Sequence, residues 1–448
     1  MLPSYEQSEI APEMRLGAHP MTEALSRLSL LLLAGFLAIS AFEGAFRYYA
    51  AHAGVTWLVY LKDVLIIAAL FAGIGRALLT TLRNPPFLVV LCFVVFGTII
   101  GVLSLHDIRQ PLFGAKTWLP LLCGTIMAPA IDARSIYFRL TCGLLWALTI
   151  AGVVLTSRWH APWVGFEYEI GGMVVEGSRE WSIGGVDRIA GFSRSSFDAA
   201  LQCLFLGIVL ASSLRFYLFS LGIWILTGIG IYLTTSRSAL VALAVAMGLH
   251  FLVVIHPVTQ RLAKLAVALL AVVVVALPFG ADYYYKNKAV SSQGAQSVVS
   301  ASSFEERATK TWPDAFQLQQ RGGNWLVGRG MGGAGVGQKV FETRLYNPGD
   351  NFFMYLWVAF GVMGLVLVGF IPFQAWRAPI ALDENRRLGM ILAGTFLCVG
   401  FTLNGIESPV PSLFLGLALF WLTTPPGELS AFEAEAPMYD AMGQRIAS

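Results

Sequence analysis

The sequence predicts an all-α fold: a polytopic transmembrane bundle of about twelve helices with two large outer-face loops. Three observations carry this. Hydrophobic residues make up 56% of the 448 residues and charged residues 13%, against about 45–50% and about 25% in an ordinary soluble domain. The apolar residues fall in blocks of about twenty, the length of helix that crosses a hydrocarbon core of about 30 Å. Lysines and arginines of the short connections also fall mostly on one side of the threading. Alternating ten-residue segments, which a membrane β-barrel needs, are absent.

Taken in order, residues 1–25 are polar and form an N-terminal tail on the cytoplasmic side. The first membrane section, 26–156, holds apolar blocks at 26–43, 55–75, 86–104, 111–130 and 136–156. No small-residue cleavage site follows the first block, so it reads as a retained helix and not a signal peptide. A polar loop at 157–196 precedes the middle section 197–281, with blocks at 197–213, 216–234, 238–255 and 263–281. A second polar loop fills 282–350, and 351–424 holds the last blocks at 351–374, 388–405 and 409–424. Residues 425–448 form an acidic cytoplasmic tail.

Orientation follows from the preference of Lys and Arg in short loops for the cytoplasm. With the N-terminus inside, Arg76, Arg83, Arg134, Arg139, Arg215, Arg261, Lys264, Arg377, Arg386 and Arg387 lie at cytoplasmic turns, and only Arg47, Arg109 and Arg237 lie at the opposite short turns. Both long loops then emerge on the outer face, together with Arg237 and Glu407. The candidate chemistry then lies on the outer face of the membrane.

A net charge of +3 excludes a nucleic-acid partner as the main role. The five cysteines, Cys92, Cys123, Cys142, Cys203 and Cys398, all lie in apolar runs without metal-ligand spacing. They read as small buried side chains. No His/Asp/Glu cluster suggests a metal, and no cofactor motif is present.

Within the apolar runs, charge is expensive and generally paired. Lys62 and Asp63 are adjacent, so on a helix they point in different directions and each requires its own partner; Lys116 is the third such residue.

Three polar elements carry the candidate chemistry. Loop 157–196 interleaves Glu167, Glu169, Glu176, Arg179, Glu180, Asp187, Arg188 and Arg194 with Trp159, Trp163, Phe166, Tyr168 and Trp181. Aromatic faces beside acids and arginines suit a sugar, although an interfacial aromatic belt has the same composition. The second element is Thr234-Thr235-Ser236-Arg237-Ser238-Ala239-Leu240, between two apolar helices. Arg237 either snorkels to the headgroups or holds a phosphate bidentately. The third is loop 282–350, with Phe304-Glu305-Glu306-Arg307, Trp312 and the glycine-rich run Gly328 to Gly337. That run lacks the Gly-Lys-Ser/Thr of a Walker loop; by itself it reads as a flexible surface segment more readily than as a phosphate cradle. The loop ends at Asn347-Pro348-Gly349-Asp350-Asn351, where Asp350 is either a helix N-cap or the base of a reaction.

In this order the elements resemble the bacterial O-antigen ligase and O-antigen polymerase superfamily. An Arg-x-x-Gly-x-Phe stretch is matched by Arg188, Gly191 and Phe192, and a Ser-Arg-Ser/Gly-Ala segment by Ser236 to Ala239. Arg307, Trp312, Gly328 and Gly330 match the late outer loop; Asp350, Asn351, Gly361 and Gly364 stand where a His-Asn pair opens a helix ending Gly-x-x-Gly. Lys62-Asp63 is also familiar from this group. Two departures stand out: Ser195-Ser196-Phe197-Asp198 replaces a Pro-Asn pair, and Asp350 occupies the position of the histidine associated with ligases.

The resemblance implies a metal-independent, inverting glycosyltransferase acting on glycans linked to undecaprenyl diphosphate. The acceptor is a second glycan or lipid, and the bias is toward polymerisation over ligation to a lipid A core. It implies Asp350, Arg188 and Arg237 as catalytic residues, with Arg307, Trp312, Glu407 and Asn351 binding substrate. Membrane lipids and a chain-length regulator protein are the implied partners. A transporter or flippase of lipid-linked oligosaccharide is the alternative from another class; against it, the halves show no repeat.

Overall fold

The computed structural model describes residues 20–80, 84–170, 173–183, 186–214, 216–255, 257–291, 302–379 and 382–423. Both expected tails, except residues 20–25, and Arg83 and Arg215 of the charge count lie outside these residues.

The described chain is mostly helical. Its first half comprises α1 (Pro20–Ala41), α2 (Glu43–His52), α3 (Leu61–Thr80), α4 (Pro85–Ser104), α5 (Arg109–Lys116), α6 (Leu119–Met127) and α7 (Ile136–Thr156). Two small hairpins follow, β1 (Glu167–Ile170) with β2 (Met173–Glu176) and β3 (Ser182–Ile183) with β4 (Val186–Asp187), each antiparallel. Then come α8 (Ser196–Ser213), α9 (Tyr217–Leu233), α10 (Arg237–Ile255), α11 (Pro257–Ser291), α12 (Ser302–Glu306), α13 (Trp312–Gly322) and α14 (Val336–Phe341). The last helices are α15 (Phe352–Phe360), α16 (Met363–Arg377), α17 (Glu384–Val399) and α18 (Pro409–Thr423).

Among the described residues, seven helical segments are long and apolar enough to cross a membrane: 21–41, 56–78, 85–104, 136–156, 196–213, 237–254 and 258–281. Three shorter apolar helices, Tyr217–Leu233, Met363–Arg377 and Pro409–Thr423, accompany them. Two expected single blocks are broken. Block 111–130 is split between α5 and α6 at Thr117 and Trp118, ahead of Pro120. Block 351–374 is split at Gly361, whose φ of 59° is left-handed and ends α15.

Burial sorts the helices. α15, α17 and α18 are buried nearly all round, and α8 along most of its length. Large apolar side chains on α3, α4, α7 and α9, such as Phe71, Leu103, Leu140 and Leu218, are exposed instead. Contiguous exposed apolar faces of this extent mark a membrane or partner surface, and on helices of spanning length they mark a multi-pass membrane protein.

Polar connections gather at the two ends of the bundle. At one end Arg76 donates to the Pro129 carbonyl, Arg139 pairs with Glu384, and Lys264 donates to the carbonyls of Trp376 and Ala378. At the other end lie both long loops and the turn before α18: Arg47 bonds Tyr168, Gln110 bonds the Gly332 carbonyl, and the Val336 N–H bonds Glu407. Lys62 and Asp63 take separate partners: Lys62 Nζ lies 2.5 Å from Glu43 and Asp63 lies 2.6 Å from Lys116.

Candidate functional site

The first long loop is folded, not trailing. The N–H groups of Gly44 and Ala45 on α2 donate to the Phe192 carbonyl, and Ser193 Oγ donates to Gln202 of α8. Gly191 makes this possible: its φ is 63°, and a Cβ there would lie 3.0 Å from the Val153 nitrogen. Only glycine adopts that turn at no steric cost. Trp163 Nε1 donates to the Gly191 carbonyl, while Phe192 stacks on Phe42 at 5.2 Å. The Arg-x-x-Gly-x-Phe stretch is thus an anchor, and Arg188 is the residue it holds out.

The Arg188 guanidinium is half-buried, lying 5.1 Å from the Phe197 ring and 5.6 Å from the Trp181 ring. Its Nε is buried without a hydrogen-bond partner. Burial pulls its pKa down, and the positive charges of Arg307 and Arg237 pull it in the same direction. Three arginines widely separated in sequence therefore converge within charge-interaction range.

Arg237 reaches this point through a strained turn. Thr235, between α9 and α10, has φ 58°, the one described non-glycine residue in the left-handed region. Such strain persists where surrounding structure imposes it, and clusters at functional sites. The turn sets exposed Arg237 at the start of α10, where the positive end of the helix dipole and the guanidinium together favour an anion.

Arg307 opens a π-helical turn, Arg307–Thr311, between α12 and α13. Single π turns often mark functional sites. Its Nε donates to Asp350 Oδ2 at 3.1 Å. Trp312, fully buried, donates Nε1 to the Asp350 carbonyl at 3.3 Å. Burial raises the Asp350 pKa above its ordinary value; Arg307 opposes the rise, and Glu306 adds to it.

The α15 N-cap is Asn351. Its Oδ1 accepts from the Met354 N–H at 3.0 Å, and its Nδ2 donates to the carbonyls of Val274 and Phe401. The capping reading of Asp350 is thereby corrected: the next residue, buried and extended, does that work, and the aspartate carboxylate faces Arg307.

Glu407 stands nearby. Its Oε1 accepts the Val336 N–H at 2.9 Å. Burial pushes its pKa up to about 8, against the opposing bond from the Val336 N–H. Glu407 and Asp350 both act on Tyr346, raising its pKa in addition to the larger effect of burial.

The glycine-rich run is neither flexible nor a cradle. Gly328 to Gly335 are buried, and the N–H groups of Arg329, Gly330 and Met331 are already given to Val358, Ala359 and Gly97. Gly330, with φ 82°, presses so closely on α4 that a Cβ would lie 2.0 Å from the Gly101 nitrogen. Arg329 ties the run down through Glu342 at 2.9 Å. Its glycines serve backbone contact between the outer loop and the helices.

Among the described residues, no group of His, Cys, Asp and Glu could hold a metal ion. Arg188, Arg237, Arg307, Asp350, Asn351 and Trp312 are brought to one end of the bundle, with Glu407 linked to Asp350 through Tyr346. Three further cations, Arg179, Arg194 and Lys339, lie within charge-interaction range of one another. Their separation along the chain hid that grouping from the sequence.

Compared with known proteins, residues 221–369 match a family model described as O-antigen ligase. The matched stretch contains Arg237, Arg307, Trp312, Asp350 and Asn351, and supports the O-antigen ligase and polymerase superfamily. No curated protein and no solved structure matches the chain.

Proposed function

From a chain whose residues 221–369 match the O-antigen ligase family, we propose a glycosyltransferase that moves a glycan from a lipid diphosphate to an acceptor hydroxyl at the outer face of the inner membrane. The observation that carries this reading is Arg188 within charge range of Arg237 and of Arg307, which is itself paired with Asp350.

The chemistry needs those groups. The acceptor oxygen attacks the anomeric carbon from the face opposite the leaving group, which inverts the centre. As the bond to the diphosphate oxygen breaks, its electron pair passes to the diphosphate, and negative charge grows there. Cations already in place where charge develops stabilise that transition state without reorganising. Arg188 and Arg237 take the diphosphate, Arg307 supports them, and Asp350 accepts the acceptor's proton. A carboxylate raised above its ordinary pKa is a stronger base than a free aspartate. Trp312 holds the Asp350 backbone and Asn351 sets the start of α15. Glu407 binds substrate beside them, and no metal or cofactor takes part.

A lipid-linked donor also fits the surroundings. An apolar groove of about 410 Å³ is lined by Val273, Ala276, Leu277, Gly280, Ala281, Tyr284 and Phe304. Phe304 lies three residues before Arg307 and meets Trp312 edge-on at 5.5 Å. A prenyl chain in this groove lies beside the segment that carries Arg307, consistent with undecaprenyl diphosphate as carrier.

Asp350 at the ligase histidine position favours polymerisation, with a second lipid-linked glycan as acceptor and a chain-length regulator protein as partner. The description of the matched family favours the second reading, ligation onto a lipid A core. The test is purified protein with a defined lipid-linked repeat unit. Chain growth from that unit alone supports the polymerase; transfer only when a lipid A core is added supports the ligase. Movement of the unit across a vesicle bilayer without transfer would replace both with a flippase.

A further inference from the structure

The second long loop carries an apolar tip that the functional site does not use. After α13 the chain makes a tight turn over 324–328, and Trp325 and Leu326 at its tip are 65% and 45% exposed. The turn is closed on itself. The Asn324 N–H donates to the Gly328 carbonyl at 3.1 Å, the Gly328 N–H donates back to the Asn324 carbonyl at 2.6 Å, and Asn324 Oδ1 accepts the Leu326 N–H at 2.8 Å. Gly328 has φ 74°, and a Cβ there would lie 2.4 Å from the Ala359 carbonyl carbon, so glycine is needed to seat the turn on α15.

The turn is fastened where an apolar block breaks. The Val362 N–H donates to the Trp325 carbonyl at 2.9 Å, and the Met363 N–H to the Leu326 carbonyl at 3.4 Å. These donors lie at the start of α16, one of the shorter apolar helices that accompany the spanning segments. From there Met363, Leu365 and Val366 continue an exposed apolar face along α16. Elsewhere the loop packs inward: Phe316 of α13 meets Phe279 of α11 at 5.1 Å and Trp357 of α15 at 6.1 Å.

Single exposed apolar side chains are ordinary. Two large ones in succession, held rigidly and joined by hydrogen bonds to the exposed face of an apolar helix, make one surface with it. A bilayer is the partner that covers both. Tryptophan suits the headgroup level, where its ring is buried and its N–H stays wet. The backbone suits that depth as well, because the carbonyls of Asn324, Trp325, Leu326 and Gly328 are all bonded within the protein.

We infer that Trp325 and Leu326 insert into the lipid leaflet at this end of the bundle, so that the second loop rests in the membrane surface and does not stand clear of it. The occupant is the interfacial layer of the bilayer, and the inference is independent of the transferase reading. Insertion fixes the height of α13 against the headgroups; its first residue, Trp312, holds the Asp350 carbonyl.

The test uses the full chain with Cys92 replaced by Ser, which leaves only buried cysteines, in vesicles of phosphatidylcholine and phosphatidylglycerol. A spin label is attached at Trp325→Cys, in a second variant at Leu326→Cys, and at Gln320→Cys, an exposed position of α13, as the water-phase reference. Oxygen concentrates in lipid and a neutral nickel chelate in water, so their relative collision rates report depth. Oxygen collisions should dominate at 325 and 326, with the ratio reversed at 320. The label at 326 carries the test if Trp325→Cys fails to fold. Nickel collisions dominating at the tip as they do at 320 would put it in water and overturn the inference. Shielding of the tip from both reagents would mean that protein covers it, a second copy or another chain, and would overturn the inference equally.

Discussion

Arg307 Nε and Asp350 Oδ2 lie 3.1 Å apart, a half-buried ion pair joining the π turn after α12 to the residue just before the α15 cap. The pair sets two opposing influences on one carboxylate: burial raises its pKa and Arg307 lowers it. Asn351 holds the backbone, so the charge of Asp350 is available for chemistry.

Asp350 and Asn351 should separate cleanly on substitution. Asp350→Asn keeps size but cannot take a proton, so transfer should fall by at least about a hundredfold with little change in melting temperature. Asp350→His keeps a proton acceptor and should retain measurable transfer. Asn351→Ala removes the cap and leaves two carbonyls without their donor, and should cost about 2–3 kcal/mol. Near-normal turnover by Asp350→Asn would remove it from the mechanism and make Glu407 the next residue to test.

The ion pair also fixes a pH dependence. Arg307 favours the ionised form of Asp350, so Arg307→Gln should move the acid limb of the kcat/KM profile to higher pH, besides lowering its height. A limb that stays in place, or moves down, would show that Asp350 is not the group titrating.

Arg188→Ala and Arg237→Ala should each abolish turnover while the protein remains inserted. Lysine should restore little, because it keeps the charge but loses the planar two-pronged donor; for Arg188 it also loses the stacking on Trp181 and Phe197. Full activity in Arg237→Ala, assayed on the same lipid-linked donor, would return Arg237 to a headgroup anchor.

Glu407 predicts a stability slope. Its folded pKa, about 8, lies above the ordinary value of 4.5, so the folded chain holds this proton more tightly than the unfolded chain. The stabilisation is complete below about pH 4.5 and is lost as pH rises through about 8. Glu407→Gln should flatten the fall in melting temperature across that window. Identical slopes in the two proteins would contradict it.

The orientation is tested with single cysteines. Ser178 and Gln319, central in the two loops, are buried and would label poorly whichever side they occupy. Val174 and Gln320 are exposed. With Cys92 replaced by Ser, cysteines at these two positions should react with an impermeant thiol reagent in intact spheroplasts. Reaction only after lysis would put both loops, and the proposed site, in the cytoplasm.

Composition and block length alone determined a helical membrane protein, because a chain in hydrocarbon has to satisfy its backbone within each spanning segment. Local pattern also singled out Arg188, Arg237, Arg307 and Asp350, since charge beside glycine and small hydroxyl residues stands out against an apolar background. It went further with Lys62 and Asp63, whose adjacency on a helix demanded two partners; Glu43 and Lys116 supply them.

Only the tertiary structure decided the rest. Which residue caps α15 depended on whether Asn351 could reach Val274 and Phe401 as well as Met354. The glycine run became a packed joint because Gly97, Gly101 and Gly114 wait for it on α4 and α5, more than two hundred residues earlier. Arg188 comes within charge range of Arg237 and Arg307 through loops whose separation no local spacing records. The physical reason is range: helix formation and membrane partition are settled within about twenty residues, whereas the electrostatics of a site depend on distances that exist only after the bundle has closed.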